Sequence, residues 1–178
     1  MKYIIASDIH GSEYYANELI KKFHELKADK LILLGDILYH GPRNPLPKDY
    51  NPQGVVKLIQ SIKNKVLWIK GNCDSEVDEM IMGMNFVNDG VLVINNTNFF
   101  LSHGHIKNED NNNLSEGDYL ICGHTHINKH EVRNNIHYLN CGSVSLPKEN
   151  TKNSFLVIEN KVTCLDFDNN VIFEVEYV

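Results

Sequence analysis

Long apolar runs are missing from this 178-residue chain. A membrane-spanning helix needs about 20 consecutive apolar residues, and nowhere do so many occur together. The first apolar run, Tyr3 to Ala6, stops before Asp8, short of the roughly 7–15 apolar residues of a secretory leader. The expectation is a cytoplasmic protein with no membrane partner. Positive charge is also scarce: 17 Lys and Arg against 23 Asp and Glu leave a net charge of -6. A nucleic-acid polymer or an anionic membrane surface would be repelled, which removes both from the expected partners. The four cysteines, Cys73, Cys122, Cys141 and Cys164, lie far apart with no CxxC spacing. Neither a disulfide framework nor a zinc ribbon is indicated. Cys122 and Cys141, in apolar strand ends, read as small buried hydrophobes. No repeat of about 20–50 residues is present. The chain fits a single domain, residues 1–178, long enough to bury a core without staples.

What is present is alternation. Tyr3 to Ala6, Leu31 to Leu34 and Val66 to Ile69 read as buried strands, separated by helices from about Ser12 to Leu26 and from about Gln53 to Ile62. That order is a βαβαβ unit with a parallel sheet. Ser12 suits a helix N-cap. From residue 91 onward, seven short runs are strand-like: Val91 to Ile94, Phe99 to Leu101, Tyr119 to Cys122, Ile136 to Leu139, Phe155 to Ile158, Val162 to Leu165 and Val171 to Val175. Asn88-Asp89-Gly90, Asn95-Asn96, Asn134-Asn135, Glu159-Asn160 and Asp168-Asn169-Asn170 mark turns between them. The second half is therefore expected to be mostly antiparallel. The whole predicts an α/β fold with a mixed sheet, or two stacked sheets, and helices outside.

Five of the runs end in the same chemistry. Asp8 and His10 follow the first, Asp36 the second, Asn72, Cys73 and Asp74 the third, His103 and His105 the run at 99–101, and His124 and His126 the run at 119–122. Ligands of open α/β sheets bind beyond the carboxyl ends of strands, where short loops bring several ends together. Carboxylate, amide and imidazole without thiolate form a mixed oxygen and nitrogen donor set. Such a set suits Mn²⁺, Fe²⁺ or Zn²⁺ and is too rich in nitrogen for calcium or magnesium alone. So many such groups exceed what one ion with an open position needs, so two ions are expected, about 3.5–4 Å apart.

The ordered motifs Asp8-x-His10, Gly35-Asp36, Gly71-Asn72-x-Asp74, His103-Gly104 and Gly123-His124-x-His126 resemble those of the calcineurin-like metallophosphoesterases. GNCD at 71–74 and YHGPRNPLP at 39–47 are most similar to the small bacterial phosphodiesterases of that family. The resemblance implies a four-layer αββα sandwich with the metal site at strand C-terminal ends. It puts Asp8, His10 and His126 on one ion and Asn72, His103 and His124 on the other, with Asp36 bridging. The implied ions are two divalent cations, Mn²⁺ first, with Zn²⁺, Fe²⁺ or Ni²⁺ as alternatives. Their chemistry is attack on a phosphodiester by a metal-bound hydroxide.

Many relatives resemble one another in having histidine after the asparagine as the acid for the leaving alcohol. Here Cys73 takes that place, which points to diesters or good leaving groups. Asn72, Cys73 and His105 are the expected catalytic residues, with His105 the candidate proton donor or substrate contact. The segment 37–52 carries Pro42, Pro45, Pro47 and Pro52, and a stiff loop of that length is usually functional. Within it Arg43 could clamp a phosphate oxygen, and His40 could line the pocket. Asp74 either orients a neighbouring ligand or caps the following helix. His24, His130 and His137 lie off the motifs and read as surface or core residues. The expected partner is a small-molecule phosphodiester, and a homo-oligomer through an uncovered strand edge is left open. Two alternatives stand beside the phosphodiesterase: a phosphomonoesterase, and a weakly catalytic scaffold of the same fold that binds proteins.

Overall fold

Parallel pairing of three short strands sets the frame of the protein, whose computed structural model describes residues 1–177. β1 (Tyr3–Ala6), β2 (Lys30–Leu33) and β3 (Val66–Trp68) pair in parallel. Two helices make the crossovers. α1 (Glu13–Glu25) starts where the Ser12 side chain accepts the Tyr15 N–H, and buries Ala16, Leu19, Ile20 and Phe23 along one stripe. α2 (Pro52–Gln60) starts with Asn51 accepting the Gly54 N–H and with Pro52 in its first turn. A third helix, α3 (Glu76–Met82), has only seven residues. Its N-cap is Ser75, in a reciprocal capping box with Asp78, and Gly83 ends it in the left-handed region at φ 62°. The capping alternative for Asp74 is thereby set aside.

The remaining strands are β4 (Gly90–Ile94), β5 (Thr97–Leu101), β6 (Tyr119–Cys122), β7 (Asn128–Arg133), β8 (Ile136–Cys141), β9 (Ser154–Ile158), β10 (Lys161–Asp166) and β11 (Val171–Glu176). They complete two mixed sheets, of order β11-β10-β9-β1-β2-β3 and β4-β5-β6-β8-β7. Asn95-Asn96 and Asn134-Asn135 both hold φ between 49° and 66°, as the two central residues of a type I′ hairpin must. The second half is less antiparallel than expected. β5 pairs with β6, and β6 with β8, in parallel. The carboxyl ends of β1, β2 and β3 and of β5, β6 and β8 can then gather at one edge.

Ile5, Ile32, Leu34, Phe99, Ile121, Leu139, Leu156 and Val162 form the core between the sheets. Ile4, Leu31, Leu33 and Trp68 on the other face of the six-stranded sheet pack against α1, α2 and Met82 of α3. Outside the five-stranded sheet, Leu120, Cys122 and Tyr138 pack with Phe100, Leu114 and Ile136. There the covering segment, residues 102–118, contains no helix. Among the described residues no helix is long and apolar enough to cross a membrane.

Candidate metal centre

The loops beyond β1, β2, β3, β5 and β6 do converge. Asp8, His10, Asp36, His124 and His126 all hold φ between 51° and 67°, a region that side chains with a Cβ enter at a cost and that gathers at functional sites. Backbone bonds hold them there: the Asp8 N–H donates to Gly35 O at 3.0 Å, and the His10 N–H to Asp36 O at 2.9 Å. Two glycines are required by close approach. A Cβ on Gly71 would lie 2.2 Å from Asp36 Oδ1, and one on Gly123 would lie 2.1 Å from Ser7 Oγ and 2.7 Å from Asp8 Oδ2.

Both acidic side chains are split in their duties. Asp8 Oδ2 accepts the His124 N–H at 2.9 Å, and Asp36 Oδ1 accepts the Cys73 N–H at 2.8 Å. The other oxygens face imidazoles. Asp8 Oδ1, buried and without a hydrogen-bond donor, lies 3.5 Å from His10 Nε2 and 3.2 Å from His126 Nε2. Asp36 Oδ2 lies 3.8 Å from His10 Nε2 and 3.5 Å from His103 Nε2. A single oxygen of Asp36 therefore stands between two groups. The first group is Asp8, His10 and His126. In the second, His103 Nε2 meets Asn72 Oδ1 at 3.0 Å and His124 Nδ1 at 3.2 Å.

The tautomers are set from behind. Nδ1 of His10, His103 and His126 sits 2.7, 2.6 and 2.7 Å from the carbonyl oxygens of Tyr39, Leu34 and Leu146. Each ring donates there, so Nε2 is the nitrogen left to face the centre. His10 Nε2 and His126 Nε2 are only 3.1 Å apart. Lone pairs at that distance, together with an undonated buried carboxylate oxygen, repel one another unless a cation or a proton lies among them. The residues present therefore fit divalent metal ions.

Electrostatics carry the same mark. Burial opposes ionisation of Asp8, but His10 and His126 outweigh it and hold the acid well below the usual range. Burial likewise opposes charge on His103, yet Asp36 and Asp8 raise it to about 9. His124 is pushed down by burial and by His103. Burial and the Asp36 charge push the Cys73 thiol up to about 12.

The other expected site residues divide. Asp74 accepts the N–H groups of Asp36, Ile37 and Gly71 and the Trp68 Nε1–H, at 3.0, 3.0, 2.8 and 3.2 Å. It thus locks the backbone that carries Asp36. Cys73, Asn72 and Arg43 line a cleft of about 720 Å³ with Asp36, Tyr39, His124 and His126. His40 does not line it: its ring packs edge-on against Tyr39 and Tyr50. His105 touches the rings of His103 and His124, at centroid distances of 5.3 and 6.1 Å, but opens on a separate cavity beside Lys70 and Asp89. Lys148 also lines the cleft. No motif near it marks Lys148 in the sequence; the structure brings it in through its N–H bond to His126 O. Ser143 and Ser145, beyond β8, donate to Asp8 O at 2.8 and 3.2 Å and fix that loop from a strand end whose role the sequence leaves open.

Fold and site together define a metal-dependent phosphoric ester hydrolase. The model of the calcineurin-like phosphoesterase superfamily domain matches residues 1–162, and the chain belongs to that superfamily. It is 39% identical over 164 residues to the phosphodiesterase YfcE of Escherichia coli strain K12, covering 91% of this chain and 89% of that one. The solved structure of Yfce, a phosphoesterase from E. coli, superposes with a TM-score of 0.96 at 36% identity, over 100% of both chains. Wild-type Vps29 of Entamoeba histolytica, complexed with zinc, superposes with a TM-score of 0.62 at 18% identity over 100% of both chains, a likeness of fold alone.

Proposed function

We propose that the chain is a dinuclear-metal phosphodiesterase of small molecules. The observation that carries this reading is the place of Asp36 Oδ2, 3.8 Å from His10 Nε2 on one side and 3.5 Å from His103 Nε2 on the other. Asp8, His10 and His126 would hold one divalent cation and Asn72, His103 and His124 the second, with Asp36 Oδ2 shared. The donor set favours Mn²⁺, with Zn²⁺, Fe²⁺ or Ni²⁺ able to replace it. The cations supply Lewis acidity that draws charge from the phosphoryl group and eases deprotonation of the attacking water.

The chain's own residues do the rest. The cleft orients the ester over Asp36 and Asn72, and Arg43 meets a non-bridging phosphoryl oxygen. Cys73 faces the cleft, and in the ion-free protein burial and the Asp36 charge keep it a thiol; a thiol is a weak acid for the departing alcohol, which favours esters of acidic alcohols. The activity for which the E. coli relative is named supports diesters over monoesters. Four free thiols suit a reducing cytoplasm. The test strips the protein with chelator, adds back Mn²⁺, and assays an aryl phosphodiester beside its monoester, with bound metal counted by elemental analysis. Two ions per chain with diester turnover, both lost in Asp36→Asn, is the expected result. One ion at saturation, or preference for the monoester, defeats the reading.

A further inference from the structure

Two cations on the cleft are not among the metal-ligand candidates. Arg43 belongs to the proline-rich wall, and Lys148 to the segment after β8. Both are exposed, and neither has an acidic partner among the described residues. In a chain of net charge -6, two unmatched cations on one cleft create a local field that attracts anions. Their positions are built. Lys148 donates its N–H to His126 O at 3.1 Å, and its own carbonyl accepts the Thr151 hydroxyl at 2.7 Å. On the other wall, Tyr39 O accepts from His10 Nδ1 at 2.7 Å, and Asn44 Nδ2 donates to His40 O at 2.8 Å.

Asp8 and Asp36 offset only half the charge of two divalent ions, and the remainder, with Arg43 on a non-bridging oxygen, meets the single charge of a diester. Lys148 is surplus for an uncharged substituent. Resting on the phosphodiesterase reading, we propose that the substrate carries a second anionic group, a carboxylate or a phosphate, on one of its two alcohols, and that Lys148 is the residue that selects it. Lys148 touches the substituent and not the reacting atoms, so its effect falls on KM.

Three isosteric esters with one leaving group test this: 4-nitrophenyl phosphates whose second ester is phenyl, 3-carboxyphenyl or 3-(trimethylammonio)phenyl. The expected order of kcat/KM is carboxyphenyl over phenyl over ammoniophenyl, each step roughly three- to fivefold, the worth of a partly exposed ion pair. Lys148→Ala brings the first ratio close to one, Lys148→Arg keeps it, and Lys148→Glu inverts it. Calorimetry of the same esters against chelator-treated protein reads the same order without turnover. Equal kcat/KM on all three, or an order that survives Lys148→Ala, overturns the selection and leaves the hydrolase intact. No hydrolysis of any ester under Mn²⁺, Zn²⁺, Fe²⁺ or Ni²⁺ overturns both.

Discussion

Replacing Asp74 with asparagine removes one charge that touches no expected ligand atom, yet it should weaken metal binding. Asp74 Oδ2 accepts three donors, Asp36 N–H, Gly71 N–H and Trp68 Nε1–H, while Oδ1 accepts only Ile37 N–H. Burial raises its pKa, but four donors and no acceptor face it, so the loop holds its ionised form. An asparagine keeping its oxygen at the threefold position sets its NH₂ against the Ile37 N–H. One charge-assisted bond is lost and one buried donor is stranded, for a total of about 2–4 kcal/mol. Asp36 is displaced in consequence, and supports of this kind typically change metal affinity by about 10–100-fold. Urea unfolding in chelator reads the first quantity, and titration with Mn²⁺ under competition from an indicator dye reads the second. Asp74→Ala, which strands all four donors, should be worse on both counts. Wild-type Mn²⁺ affinity in an Asp74→Asn protein that has lost the stated stability would refute the claim that this carboxylate positions Asp36.

Gly123→Ala forces a Cβ to within 2.1 Å of Ser7 Oγ and 2.7 Å of Asp8 Oδ2; a loss of about 1–3 kcal/mol in thermal or urea unfolding is expected, and an unchanged midpoint would refute the close approach. Metal uptake should release protons at neutral pH, because His103, raised to about 9 in the ion-free protein, must give up its proton for its lone pair to bind. Calorimetry in two buffers of different ionisation enthalpy measures that release, and zero release refutes it. The same shift runs upward from 6.5, so charged His103 stabilises the ion-free fold fully below about pH 6.5. That contribution fades as pH rises through about 9, which denaturation of chelator-treated protein at pH 6 and pH 9.5 would follow. His105→Ala should slow aryl and alkyl diesters by the same small factor, since the ring opens outside the cleft; a selective loss on the poor leaving group would restore it as the acid.

The metal-ligand candidates were legible because each ends an apolar run, and strand ends converge wherever strands run parallel. β7 was not legible: NKHEVR is an edge strand with neither face fully buried, so it has no apolar alternation to read. α3 fails the same test by its length, seven residues with Met82 alone buried. The parallel pairing of β5, β6 and β8 depends on which strands meet across long connections, and short turn signals carry no record of that. His40 was misplaced because a loop's sequence does not say which side chains turn inward; the Tyr39 and Tyr50 rings take it away from the cleft. Lys148 stayed invisible for the opposite reason, as its entry depends on one backbone bond from a distant segment.

The rings that close the site also lean on its walls. His10 is tied to Tyr39 O and His126 to Leu146 O, so immobilising either imidazole damps the segment behind it. Filling the centre should therefore slow amide hydrogen exchange along residues 39–47 and 146–151 together, and emptying it should let both segments fluctuate. Affinity for the organic part of a substrate then rises when the protein is charged with its ions.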